Sequence, residues 1–115
     1  MQPHTKIYMD AFGYEKGDFI PSEISGQRAV DICHIKPRGA GGNPSKDLDR
    51  IENLMAQTRE EHHNLGDKKS TTAYQYRKHM EFMELNGISF DYGWTEKQIQ
   101  RYEVYENDEM ESYAR

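Results

Sequence analysis

Three residues in the middle of the chain have types and positions that could carry chemistry: His34, Asn53 and His62. His34 stands near the end of an apolar run, and His62 follows Asn53 by nine residues. An imidazole titrates near neutral pH and can serve as a base or as a metal ligand. An amide can donate and accept hydrogen bonds at once. Next to His34 is Cys33, the single cysteine. It cannot form an internal disulfide and reads equally well as a soft metal ligand or as a packed thiol. Asp31 lies two residues earlier, so in a strand it shares a face with Cys33, while the same alternation sends Cys33 and His34 to opposite faces unless the strand ends or twists there. Taken alone, Asn53 is a helix cap. His4 and His79, taken alone, are surface or satisfied core residues and are assigned no role. His63 diverges from His62 by about 100° on a helix, so only one of them can face a site. The distance from Asn53 favours His62.

The elements that must position these residues follow from local pattern. Residues 1–27 mix aromatics with turn formers and predict an irregular arm with one short strand near Ile20. Residues 29–35 predict a strand that Pro37 terminates, and the three glycines within 39–43 predict a loop. From Asn53 the pattern predicts a helix stopping near Gly66 in a left-handed conformation. Ala73, Tyr76, Met80 and Met83 make one apolar stripe on a helix over residues 70–85. Thr95 with Gln98 has the form of a capping box for a last helix from Glu96. The Met and aromatic stripes read as core.

At 115 residues the chain is expected to form one domain, with 35% apolar and 30% charged residues pointing to a thin core. No apolar run approaches the roughly 20 residues that span a bilayer, so the expectation is a cytoplasmic protein with no membrane partner. The net charge of -5 argues against a whole-surface attraction to nucleic acid. That charge is uneven. Residues 28–69 hold eight Lys or Arg against seven Asp or Glu, whereas residues 102–115 hold five acids and one base. Around His34, the residues Lys36, Arg38, Lys46, Arg50, Arg59, Lys68 and Lys69 could form a local phosphate-facing patch.

The runs Asp31-Ile32-Cys33-His34-Ile35, Arg38-Gly39-Ala40-Gly41-Gly42 and Glu52-Asn53-Leu54-Met55, followed by His62, resemble the HNH endonucleases of bacteria and their phages over about residues 18–69. The resemblance implies an α+β fold: a ββα-metal core over 18–69, with a C-terminal helical extension and acidic tail over 70–115. It implies that His34 is the general base that activates water and that Asn53 braces the loop carrying it. His62 is then a metal ligand, joined by Cys33 or, in its place, Asp31. One divalent ion (Mg, Mn, Zn or Ni) would polarise the scissile phosphate of DNA. Lys36, Arg38 and Arg59 would contact the nucleic acid.

Three departures from the family pattern qualify this. Cys33 stands where relatives carry Asp or His, and a thiolate would favour zinc or nickel over magnesium. The thiol positions of a bracing zinc fall on Ser22, Ser25, Thr58 and Glu61, so no structural zinc is expected. A further ligand found in some relatives falls on Gly66. The expected function is metal-dependent DNA hydrolysis in a bacterial cell or phage-infected host. The alternative is a catalytically weakened HNH-like module that binds DNA or a protein partner, the latter through the acidic C-terminal helix.

Overall fold

The computed structural model describes residues 1–37 and 47–106. The protein is α+β: a two-stranded antiparallel sheet with helices on both faces. Among the described residues, no helix is long and apolar enough to cross a membrane.

The chain opens with a helix, α1 (Pro3–Phe12), where the pattern predicted an irregular arm. Propensity does not explain it, because Gln2 makes no side-chain cap and the segment is short. Burial does. Tyr8 and Phe12, one turn apart, pack with Leu54 and Ala56, and Tyr8 is fully buried. Pro3 starts the first turn and Gly13, at φ 74°, ends the helix in the left-handed region. The strand expected near Ile20 is reduced to one bridge between Pro21 and Arg28.

Strand β1 (Asp31–His34) pairs with β2 (Leu54–Gln57). The register sets Asp31 opposite Gln57, Ile32 opposite Ala56, Cys33 opposite Met55 and His34 opposite Leu54. The helix predicted from Asn53 therefore gives way to a strand. Leu, Met, Ala and Gln favour helices, but all four β2 residues are fully buried, and packing on both faces of the sheet overrides propensity. Asn53 closes a 3-10 turn, Ile51–Asn53, just before the strand. Helix α2 (Arg59–Leu65) starts after Thr58, which forms a reciprocal capping box with Glu61. Its end at Gly66 is extended (φ -66°), not left-handed. Glycine is needed there because a Cβ would lie 2.6 Å from the His62 carbonyl oxygen.

Helix α3 (Lys69–Leu85) matches its predicted span to one residue, with Ala73, Tyr76 and Met83 buried. Helix α4 (Tyr92–Glu103) begins a turn earlier than predicted. Asp91 caps it by accepting from the Trp94 N–H at 2.9 Å, and the Thr95 hydroxyl donates to the Asp91 carbonyl instead of forming a box with Gln98.

Alternation along the strands gives the sheet two different faces. Ile32, Leu54 and Ala56 point to α1, with Tyr8 and Phe12. Met55 points to α3 and α4, where it meets Ile35, Tyr76 and Ile99. His34, paired with Leu54, belongs to the α1 face; Asp31 and Cys33 belong to the other.

Candidate acid–base and metal centre

The best-defined polar feature surrounds Asn53, which is fully buried. Its Oδ1 accepts from the Lys36 N–H at 2.9 Å and from the Tyr76 hydroxyl at 2.6 Å. Its Nδ2 donates to the Lys36 carbonyl at 3.1 Å and to the Leu48 carbonyl at 3.0 Å. One amide thus ties together the segment after His34, the segment before β2, and α3. Burial of the Tyr76 hydroxyl pushes its pKa up, so it remains a donor.

His34 ends β1 within that clasped region, and its Nε2 lies 2.7 Å from Asp49 Oδ1. Both side chains are nearly enclosed, at 11% and 10% exposure. A carboxylate can only accept, so Nε2 carries a proton, and in the neutral ring the lone pair is on Nδ1. The ring of His4, from α1, lies against the His34 ring with centroids 4.4 Å apart and planes tilted by 46°. His4 Nε2 donates to the Ile32 carbonyl at 3.1 Å. Ligand-capable atoms of His4, His34 and Asp49 all fall within 4.8 Å of one another, and among the described residues no other three His, Cys, Asp or Glu side chains gather so closely.

The residues expected to hold a metal lie elsewhere. His62 Nδ1 is 3.4 Å from Asp31 Oδ2, and Arg59 Nε is 3.6 Å from the same oxygen. This trio is open, with His62 50% and Asp31 27% exposed. Arg59, Glu60, His62 and His63 line a shallow surface hollow beside it. Cys33 shares the Asp31 face but is buried at 4% exposure, opposite Met55. Burial, then the carboxylates of Asp31, Glu61 and Glu23, push its thiol up to about 12. A free thiol held protonated is a poor ligand, and in this structure Cys33 packs within the sheet opposite Met55. Asp31 is the residue that meets His62. The structure does not gather the expected set round one point: His34 faces α1 with His4 and Asp49, and His62 meets Asp31 on the opposite side.

Of the residues expected to meet nucleic acid, Arg59 is exposed and Lys36 is partly buried, its backbone fixed by Asn53. Lys36, Lys68 and Lys69 line a hollow with Pro37 and Tyr102. Arg38, Lys46, the glycine loop and residues 107–115 of the acidic tail lie outside the described residues.

Ser22, Ser25, Thr58 and Glu61, the positions that the resemblance pairs with zinc thiols, converge. The Ser22 hydroxyl donates to Glu61 Oε1 at 2.5 Å and accepts from the Ser25 N–H at 3.2 Å, while Glu61 closes the box with Thr58. Burial raises the Glu61 pKa, but the hydrogen bonds from Ser22, Ser25 and Thr58 outweigh it and the net shift is downward. The carboxylate is the hub of this junction.

Two polar residues of consequence, His4 and Asp49, were not found by motif reasoning. A usable signal existed for His4: with Tyr8 and Phe12 it falls at spacings of four, on the buried stripe of α1. No family model matches the chain, and no curated protein or solved structure matches it.

Proposed function

We propose that this protein is a metal-dependent phosphodiester hydrolase of the HNH kind that acts on DNA, with His34 as general base. The observation that carries this reading is the Asn53 clasp. A single buried amide holds both the N–H and the C=O of Lys36, two residues beyond His34. That is the bracing function the resemblance assigns to it. The strand, strand, helix order of β1, β2 and α2 supports the same reading.

In this reading Asp49 fixes the His34 tautomer by accepting from Nε2, so that Nδ1 takes the proton from water. Asn53 keeps the backbone beyond the base from drifting. Arg59 and Lys36 neutralise neighbouring phosphates. Asp31 and His62 offer an oxygen and a nitrogen donor for a divalent ion, a pair that suits Mg, Mn, Zn or Ni. That pair lies on the sheet face opposite His34, so an ion held there would stabilise charge on the phosphate and its leaving oxygen only for a substrate that passes round the edge of the two-stranded ribbon to reach both.

The second reading, an HNH-like binding module without cleavage, is favoured by one specific observation: Cys33 is buried opposite Met55, where burial pushes its thiol pKa up. Plasmid nicking measured with Mg, Mn, Ni and Zn in turn separates the two. The hydrolase requires cleavage that falls by roughly 10²- to 10⁴-fold in His34→Ala and is also reduced in His62→Ala. Retained DNA binding with no cleavage under any ion supports the module, and cleavage indifferent to His34→Ala overturns the proposed base.

A further inference from the structure

We propose that His4, His34 and Asp49 form a binding site for a zinc-class divalent cation, distinct from the Asp31 and His62 pair, whose occupancy takes His34 out of acid–base work. The regulatory half of this proposal rests on the hydrolase reading; the binding half does not.

The ligand atoms come from three separate elements: α1, the end of β1 and the 3-10 turn Asp47–Asp49. They already lie within 4.8 Å of one another. Tetrahedral zinc with bonds of about 2.0–2.2 Å places its ligands about 3.3 Å apart. The His34 to Asp49 separation of 2.7 Å must therefore open slightly, and the remaining distances must close by no more than side-chain adjustment. Two imidazoles and one carboxylate are borderline donors that select zinc, nickel or cobalt over magnesium.

The groups that would orient these ligands are already bonded to them. The Ile32 carbonyl accepts the proton on His4 Nε2, which orients that ring and puts its lone pair on Nδ1. The helix that presents His4 is fixed one turn further on, where the Tyr8 hydroxyl donates to Glu23 Oε2 at 2.6 Å. His34 and Asp49 are nearly enclosed, so little side-chain freedom remains to be lost on binding.

Binding also has a definite proton balance. The cation takes the place of the proton between His34 Nε2 and Asp49 Oδ1, and that proton moves to Nδ1 of the same ring. Nδ1 is the atom from which the proposed base would act. With it protonated, the ring cannot accept a proton from water.

Cobalt(II) titration followed by visible absorption tests the site without depending on catalysis. The wild-type chain is expected to take up one ion at this site, with the intense visible bands of four-coordinate cobalt(II), and zinc should displace it. Affinity should fall by at least about tenfold in His4→Gln, while the His4-dependent signal persists in His62→Ala. Thermal unfolding without metal checks that His4→Gln is folded, and Asp49→Asn gives a second ligand variant. No cobalt or zinc uptake tighter than millimolar, or a signal lost in His62→Ala but kept in His4→Gln, overturns the site. In the nicking assay, zinc added to Mg- or Mn-supported reactions should silence the wild type, with the inhibitory concentration raised at least about tenfold in His4→Gln. Zinc inhibition equal in both removes the regulatory role. His4-dependent cobalt binding with no nicking under any condition keeps the site and overturns the hydrolase reading. Nicking without such binding does the reverse.

Discussion

The two faces of the central sheet treat histidine in opposite ways. On the α1 face, His34 is nearly enclosed, bonded to Asp49 at 2.7 Å and overlaid by His4. On the other face, His62 is half exposed and meets Asp31 and Arg59 only at 3.4 and 3.6 Å. Short bonds in an enclosed place fix geometry and make each partner costly to lose. Long contacts at the surface leave side chains free to rearrange round a ligand, at little cost in stability. A preset imidazole on one side and an adjustable charged edge on the other follow from the same ribbon, through alternation alone.

Substitutions test that contrast most sharply where the α1 side is anchored. His79 is fully buried, with Nδ1 2.6 Å from Glu23 Oε1 and Nε2 donating to the Ile51 carbonyl at 2.6 Å. Glu23 also receives the Tyr8 hydroxyl, so one carboxylate joins α1 to α3. His79→Ala should lose about 3–5 kcal/mol in urea unfolding; a loss below about 1 kcal/mol would show that the anchor is elsewhere. The pair also fixes a pH dependence. Burial alone lowers the His79 pKa, but the Glu23 carboxylate outweighs it and the folded value is raised. Its contribution is therefore complete below the unfolded value of about 6.5 and fades as pH rises through the raised folded value. The stability gap between wild type and His79→Gln should narrow on the alkaline side, and a gap that widens there contradicts the assignment.

Next in size is Asn53→Ala, which leaves buried partners on Lys36, Leu48 and Tyr76 unsatisfied and should cost about 2–4 kcal/mol. Tyr76→Phe removes a single arm of the clasp and should cost about 1 kcal/mol. Equal effects of the two changes would mean that the backbone arms contribute nothing. At the junction below α2, Glu61→Gln should cost about 1 kcal/mol, in line with loss of a cap. Because the folded Glu61 pKa is lowered, its contribution is present above the unfolded carboxylate value and is lost as pH falls through the folded one. Acid unfolding should thus begin at a higher pH in a Ser22→Ala variant. Smallest of all, His62→Ala and Arg59→Ala should each shift stability by less than about 0.5 kcal/mol. A larger loss would show the open face to be structural.

The sequence was legible where local pattern and tertiary packing agree. The stripe of α3 and the strand at Asp31–His34 are set by periodicity, and the structure keeps both. It misled where packing overrides propensity. Leu54–Gln57 has helix-forming residues yet completes the sheet, since each is enclosed on its own face. Helix α1 was hidden because its stability lies in distant partners, Leu54, Ala56 and Glu23, rather than in caps. The position of Asn53 beside His34 could be anticipated from the motif order. Asp49 could not, because nothing in Asp47-Leu48-Asp49 distinguishes the carboxylate that meets His34 from its neighbour. Strand alternation, the simplest rule applied, correctly places Cys33 and His34 on opposite faces of the sheet.

The single tryptophan occupies an optically useful place. Trp94 lies under the Arg50 guanidinium, 4.4 Å from its ring centre, and meets Tyr76 edge-on at 5.9 Å. Arg50 follows Asp49 directly in the chain, and Tyr76 holds Asn53. Its intrinsic fluorescence therefore listens to both ends of the His34 neighbourhood, so occupancy and unclasping can be followed in solution without attaching a dye.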